Sequence, residues 1–117
     1  MVIKSPYSSI DIPKTNILTY LFGDGENLPE TPLWIDAVNE KKSLSALKAL
    51  QWIKRLALGL DAAGMKAGEV LMVVSPNHIF VPIAYLGIVG SGRIFSGANP
   101  SFTANGTSTS QFWQRQH

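Results

Sequence analysis

Between Ser45 and Ser75 the chain reads SALKALQWIKRLALGLDAAGMKAGEVLMVVS, and this stretch limits the fold more tightly than any other. In its first half Leu47, Leu50, Ile53, Leu56 or Ala57, and Leu60 recur three or four apart, with Lys48, Gln51, Arg55 and Asp61 on the other side. That period predicts an amphipathic helix with a wide apolar stripe, capped at its start by Ser43 or Ser45. Gly64 stands where a left-handed residue would end the helix, and Lys66-Ala67-Gly68-Glu69 makes a tight turn. The run EVLMVVS that follows is continuous, apolar and β-branched, the pattern of a strand buried on both faces in a parallel sheet. The stretch therefore predicts a helix that lies on a sheet.

The rest of the chain repeats the alternation on a smaller scale. Up to Pro13 the residues are turn-prone and without period, which predicts an extended arm laid over a larger body. Thr15 or Asn16 caps a short helix through NILTYLF, ended by Gly23, and PLWIDAV is a strand after a loop with two prolines. Asn77 or Ser75 caps a second long helix over about Ile79 to Val89, with Pro82 early enough to be tolerated. Gly90 and Gly92 close it, and RIFSGANP is a short strand running into a turn. Helix and strand thus alternate, which argues for an α/β layer of few short, mostly parallel strands with two main helices and right-handed crossovers. Three or four such strands are too few to close the layer. At 117 residues the chain holds one domain or a piece of one.

Composition narrows the functions. Charged residues make up only 15% of the chain, so much of the surface expects a cover. The net charge of +2 is scattered, with no basic helix face interleaved with aromatics, so no nucleic-acid partner is expected. Cysteine is absent, which excludes disulfides and thiol chemistry. The start MVIKSPYSSI has no apolar core of a signal peptide, and the apolar stretch from Val70 to Gly92 is broken by SPNH and Pro82. Neither export nor a membrane span is expected, and the cytoplasm is the expected compartment.

No catalytic, cofactor-binding or metal-binding residue stands out. His78 follows a strand end, where α/β proteins gather ligands, yet a helix-start histidine bonded to backbone is the favoured reading. His117 is terminal, and Asp24, Glu26 and Glu30 are isolated on a loop, so a metal site is not expected. The glycine pairs Gly23/Gly25 and Gly90/Gly92 do not continue into a dinucleotide or phosphate-loop pattern and read as turns. Ser75, Ser96 and Ser101 lack a G-x-S-x-G elbow and a neighbouring base. Trp34 and Trp52 lie in regular elements and read as packing. Asn105-Gly106-Thr107 matches the glycosylation sequon but lacks an export signal to give it meaning.

Taken in order, PLWIDAV, LALGLDAAGMKAGEVLMVVSPN and FVPIAYLGIVGSGRIFSGANPSFTANG resemble the N-terminal part of an adenylate-forming (AMP-binding) ligase. The likeness is to the acyl-CoA synthetase and 4-coumarate–CoA ligase branch, its fungal members above all, and covers about Ile10 to Ala104. Its most specific pieces are G-x-K-x-G-E-V at Gly64–Val70, Ser75-Pro76-Asn77, and Ser96-Gly97-Ala98-Asn99-Pro100. One departure is Ser43-Leu44-Ser45-Ala46-Leu47, where the family often has Thr-Tyr-x-x-Leu.

The resemblance implies a family reaction in which a carboxylic acid and ATP give an acyl-adenylate and pyrophosphate, after which the acyl group passes to coenzyme A. It implies ATP, Mg and CoA for the complete enzyme and none of them for this chain. The S-G-T-T-G-x-P-K-type loop is missing from this sequence, as are a matching ribose-binding acidic motif and the lid lysine. No family functional residue carries over. Residues 1–104 are then a partial N-terminal ligase domain, and 105–117 a disordered tail foreign to the family. That break, near Gly106, reads as a frameshift, a retained intron or a gene-model error. Complete family members include peroxisomal ones, but the chain ends RQH, which is not an S-K-L address. The leading expectation is a truncated ligase piece, inactive alone. The alternative is a non-catalytic regulatory module that pairs with a full-length ligase, or with itself, through an uncovered sheet edge.

Overall fold

A computed structural model describes residues 3–101. Within them lie three helices and two small sheets, so the α/β class holds. The expected change of character at 104–105 lies outside the described residues.

The helical half is built as the stripe predicts. Helix α1 (Ile17–Phe22) is capped by Asn16, whose Oδ1 accepts the Thr19 N–H at 2.8 Å. Helix α2 (Ala46–Ala62) is capped by Ser45, whose Oγ accepts from Lys48 N at 3.3 Å. Its buried residues are Ala46, Ala49, Leu50, Ile53 and Leu60, so the stripe is turned slightly from the expected one and Leu47 sits at its exposed margin. Helix α3 (Val81–Gly90) is apolar all round and without charge, the composition of a helix covered on most sides. One cluster joins the three, with Phe22, Ala49, Leu50, Ile53, Ile83 and Leu86 at its centre. Each fully buried Ile, such as Ile53 and Ile88, contributes roughly 1.5–3 kcal/mol.

Two expectations need correction here. Helix α2 packs chiefly on α3, not on a sheet face. Helix α3 begins two residues later than expected and has no side-chain cap. The Ser75 hydroxyl instead donates to Pro76 O at 2.8 Å, and His78 Nδ1 takes the Phe80 N–H at 3.2 Å. Both groups are spent on backbone ahead of the helix.

The strands form two separate pairs. Strand β1 (Pro32–Ile35) pairs antiparallel with β2 (Ser43–Ser45), with Trp34 opposite Leu44 and a register shift between Pro32 and Trp34. The β2 strand is a feature that the sequence reading missed. Strands β3 (Val70–Val74) and β4 (Ile94–Ala98) are parallel, in register from Val70↔Ile94 to Val74↔Ala98, with α3 as their crossover. The parallel expectation holds for this pair and fails for the other. Nor is β3 buried on both faces: Val70 is 44% and Val74 56% exposed, as is Ile94 at 52%. A two-stranded sheet has too few neighbours to cover both faces.

Both long helices end in the same way. After α2, Gly64 N bonds Asp61 O and Met65 N bonds Leu60 O; after α3, Gly92 N bonds Val89 O and Arg93 N bonds Ile88 O. These are two Schellman motifs, each with a glycine at positive φ, +81° at Gly64 and +77° at Gly92. The Arg93 side chain, 2% exposed, ties one to the other. Its guanidinium donates to Asp61 Oδ1 at 2.6 Å and to the Met65 carbonyl. A cation thus sits at the negative end of α2, where the helix dipole favours it. Beside it, Gly68 N bonds Gly92 O at 2.8 Å and Ile94 N bonds Glu69 O at 2.9 Å, which starts β3 and β4 in register.

Two helical glycines meet opposite surroundings. A Cβ on Gly87 would lie 2.8 Å from Leu56 Cδ2 and 3.2 Å from its Cβ, whereas one on Gly59 would meet no atom within 4 Å. Gly59→Ala is therefore expected to stabilise the chain by about 1 kcal/mol through helix propensity. Gly87→Ala is expected to lose that gain to overpacking and to destabilise by roughly 1 kcal/mol. Urea unfolding of both variants checks the opposite signs.

Candidate functional site

The carboxyl ends of β3 and β4, where ligands gather in α/β folds, carry two turns of like composition, Ser75-Pro76-Asn77 and Asn99-Pro100-Ser101. They line an opening of about 410 Å³. Its polar groups look inward to the backbone: Ser75 Oγ donates to Pro76 O, and Asn99 Oδ1 accepts from Ser101 N at 2.9 Å. The turns hold themselves and offer no converging charge.

A larger cleft of about 700 Å³ opens beside it, between the β1–β2 loop and the start of α3. Trp34, Asp36, Lys42, Asn77, His78 and Val81 are among its lining residues. The loop is shaped by its own side chains. Asp36 Oδ1 accepts from both Val38 N and Asn39 N at 2.9 Å, Asn39 Oδ1 accepts from Lys41 N at 3.1 Å, and Asp36 N closes onto Lys42 O at 2.9 Å. These Asx turns fix where the Asp36 carboxylate stands. The N–H groups of Asn39 and then Val38 hold its pKa below the ordinary 3.8, and the charge of Lys42 adds to the effect.

The structure places His78 as the bland reading has it, with its imidazole bonded to backbone at the start of a helix. Because Nδ1 accepts from Phe80 N, the neutral ring carries its proton on Nε2. The ring also stacks on Phe80, 5.8 Å between centroids. Asp24 Oδ1 accepts from Glu26 N at 2.9 Å, a turn, while Asp24, Glu26 and Glu30 are all exposed. Ser96 is buried in β4 opposite Met72, and Ser101 is exposed. Gly23, Gly25 and Gly92 take positive φ in turns, as read from the sequence, and Gly90 is the last residue of α3. Trp34 packs against the core, but Trp52 is 42% exposed and edge-on to Phe80 at 5.3 Å. His117 and the Asn105 sequon lie outside the described residues. Asp36 and Arg93 were not singled out from the sequence, and Lys42 was read only, with Lys41, as marking a turn. The D-x-x-N spacing of Asp36 and Asn39 was a visible Asx-turn signal; Arg93 left none, since its partner Asp61 is 32 residues away.

The turn between β3 and α3 does not have the form of a phosphate-holding loop. A phosphate-holding turn needs successive free backbone N–H groups at a helix start. Here Pro76 and Pro82 have none to give, and the Phe80 N–H is taken by His78. Among the described residues no group of three His, Cys, Asp or Glu side chains could hold a metal ion. No helix among them is long and apolar enough to cross a membrane.

A small α/β unit with a self-bonded loop cleft does not define a reaction, but its sequence has relatives that do. It is 39% identical over 97 residues to a phenylacetyl-CoA ligase of Aspergillus niger, and 37% identical over the same length to an acyl-CoA ligase of that species. It is 34% identical over 101 residues to the 4-coumarate–CoA ligase-like protein 1 of Arabidopsis thaliana. The matches cover 83%, 83% and 86% of this chain. The chain belongs to the acyl-CoA synthetase and 4-coumarate–CoA ligase family, and it spans about 18% of the length of each of these relatives. No family model matches it, and no solved structure does.

The Asp36 carboxyl tests the cleft electrostatics directly. Its folded pKa is depressed, so what it adds to the loop is present above the ordinary carboxylate range and lost as pH falls through the lowered value. The expected side-chain carboxyl titration by NMR has its midpoint below 3.8, and Asn39→Pro, which removes the first of the two N–H donors, moves it up.

Proposed function

We propose that this chain is a structural piece of the N-terminal region of an acid–CoA ligase and does not adenylate a carboxylic acid by itself. The observation that carries the reading is the extent of the match: 97 residues align with a phenylacetyl-CoA ligase and cover 18% of it. The family reaction, implied by the resemblance, joins a carboxylic acid, ATP and CoA. It needs cationic and backbone donors aimed at the phosphates, because negative charge develops as the carboxylate attacks. The 117 residues contain no loop of the S-G-T-T-G-x-P-K type, and the turn at Ser75–Asn77 is a poor substitute for the reasons of geometry above.

The chain's role within such an enzyme is to supply a helical layer and the first strands of a sheet. In this reading residues 1–104 are the ligase-like part and 105–117 are foreign to it. The complete enzyme would bind ATP, Mg and CoA. The exposure of Val70, Val74 and Ile94 favours one second reading. As a non-catalytic module, the chain would pair with a full-length ligase through the β3–β4 sheet.

ATP–pyrophosphate exchange with the pure chain and a panel of aryl and fatty acids is the direct test. No exchange above a heat-killed control is expected, and exchange that depends on an added acid overturns the reading.

A further inference from the structure

The N-terminal arm takes no part in the reading above. Residues 3–15 are all exposed, and their large apolar side chains stand furthest out, with Ile3 at 86%, Tyr7 at 84%, Ile10 at 82% and Ile12 at 79%. Among the described residues the arm makes no backbone–backbone hydrogen bond, and its one bond runs from Tyr7 N to Ser5 Oγ at 3.2 Å. Pro6 and Pro13 bracket YSSIDI at 7–12, six residues that each keep a backbone N–H. That is the length of an ordinary strand. Extended, it would turn Ser8, Ile10 and Ile12 to one face and Tyr7, Ser9 and Asp11 to the other.

The β3–β4 sheet offers the matching half. It has two strands, so each of them is an edge. Helix α3 lies over β4, where Tyr85 meets Phe95 edge-on at 5.2 Å, while β3 packs chiefly on β4 alone. Val70, Met72 and Val74 share the face turned away from Phe95, and Val70 and Val74 are about half in solvent. An outer strand edge presents backbone donors and acceptors to any extended chain that reaches it. Ile10 and Ile12 set down there would stand beside the Val70–Met72–Val74 row and widen its apolar face through cross-strand pairs.

The arm does not serve its own β3. Residues 10–13 instead lie along α1, where they line an opening of about 390 Å³ with Ile17 and Tyr20. We propose that residues 7–12 of one copy add as a third strand to the outer edge of β3 in a second copy, which gives its own arm in return. Such an exchange is symmetric: each copy donates one arm and receives one, so the assembly closes at two. Main-chain bonds hold the added strand and its alternate side chains fix the fit, as in peptide recognition at sheet edges. The pairing concerns this chain alone and does not rest on its being a ligase piece.

Sedimentation velocity of the full chain over a concentration series tests the exchange. A monomer–dimer equilibrium is expected. In Ser8→Pro/Ser9→Pro the dimer dissociation constant is expected to rise roughly thirtyfold, because one of two neighbouring N–H groups faces the partner strand and both arms lose that bond. The two serines are exposed and without a hydrogen bond among the described residues, so the circular dichroism of the monomer stays as it is. Val74→Lys, which sets a charge on the receiving edge and leaves the arm untouched, is expected to weaken the dimer as well. The proposal is overturned by a chain that stays monomeric at every concentration, by association that runs past two copies, or by a dimer that the double proline leaves unchanged.

Discussion

Helix α3 comes closest to α2 where Gly87 has no side chain, so that Leu56 occupies the space a Cβ would need. The same helix meets α1 at Gly90, where a Cβ would fall 2.4 Å from Leu18 Cδ1. These two close approaches set the spacing of the helical layer, and the cluster of Phe22, Ala49, Leu50, Ile53, Ile83 and Leu86 follows from it. The strands depend on the layer in turn. Each of the two long helices ends in a glycine-closed turn, and Arg93 fastens one turn to the other, so β3 and β4 leave the helices side by side. The fold is in effect a helical core that carries a two-stranded parallel sheet on its rim.

The sheet explains why the surface is unusually apolar. A parallel pair is ordinarily covered on both faces by helices, and here one crossover helix serves two strands. Valines and isoleucines written for an interior are left half in solvent at Val70, Val74 and Ile94. The 15% charge content carries the same message in composition. The relatives that the chain matches are more than five times as long as the matched segment, which is 18% of each.

What the sequence revealed depended on how local the cause was. Helix α2, its Ser45 cap, the Gly64 ending and the β4 strand each have their determinants within a few residues, and each stands where the pattern puts it, although the buried stripe of α2 is turned slightly. Strand β2 was hidden because Ser43-Leu44-Ser45 is too short to show a period, and because Ser45 serves both as a strand residue and as the cap of α2. The EVLMVVS run was rightly a parallel strand, but composition records the environment a segment was selected for. It does not record which neighbours are present to provide it. The start of α3 was misjudged by two residues: neither Ser75 nor Asn77 caps it, and Phe80 stands at the N-cap position with no side-chain bond. In the cleft, His78 was legible as a backbone-bonded helix-start residue, whereas the Asp36 turn and Arg93 were not singled out. Arg93 depends on a pairing across 32 residues that no window of sequence displays.

Amide hydrogen exchange tests this hierarchy most directly, since protection ranks segments by the free energy needed to open them. The account predicts the slowest exchange in α2 and α3, at Leu50, Ile53, Leu86 and Ile88, with the β3–β4 amides opening at a distinctly lower free energy. Protection in β3 and β4 equal to or above that of the two helices would contradict it, and would make the sheet the core on which the helices are hung.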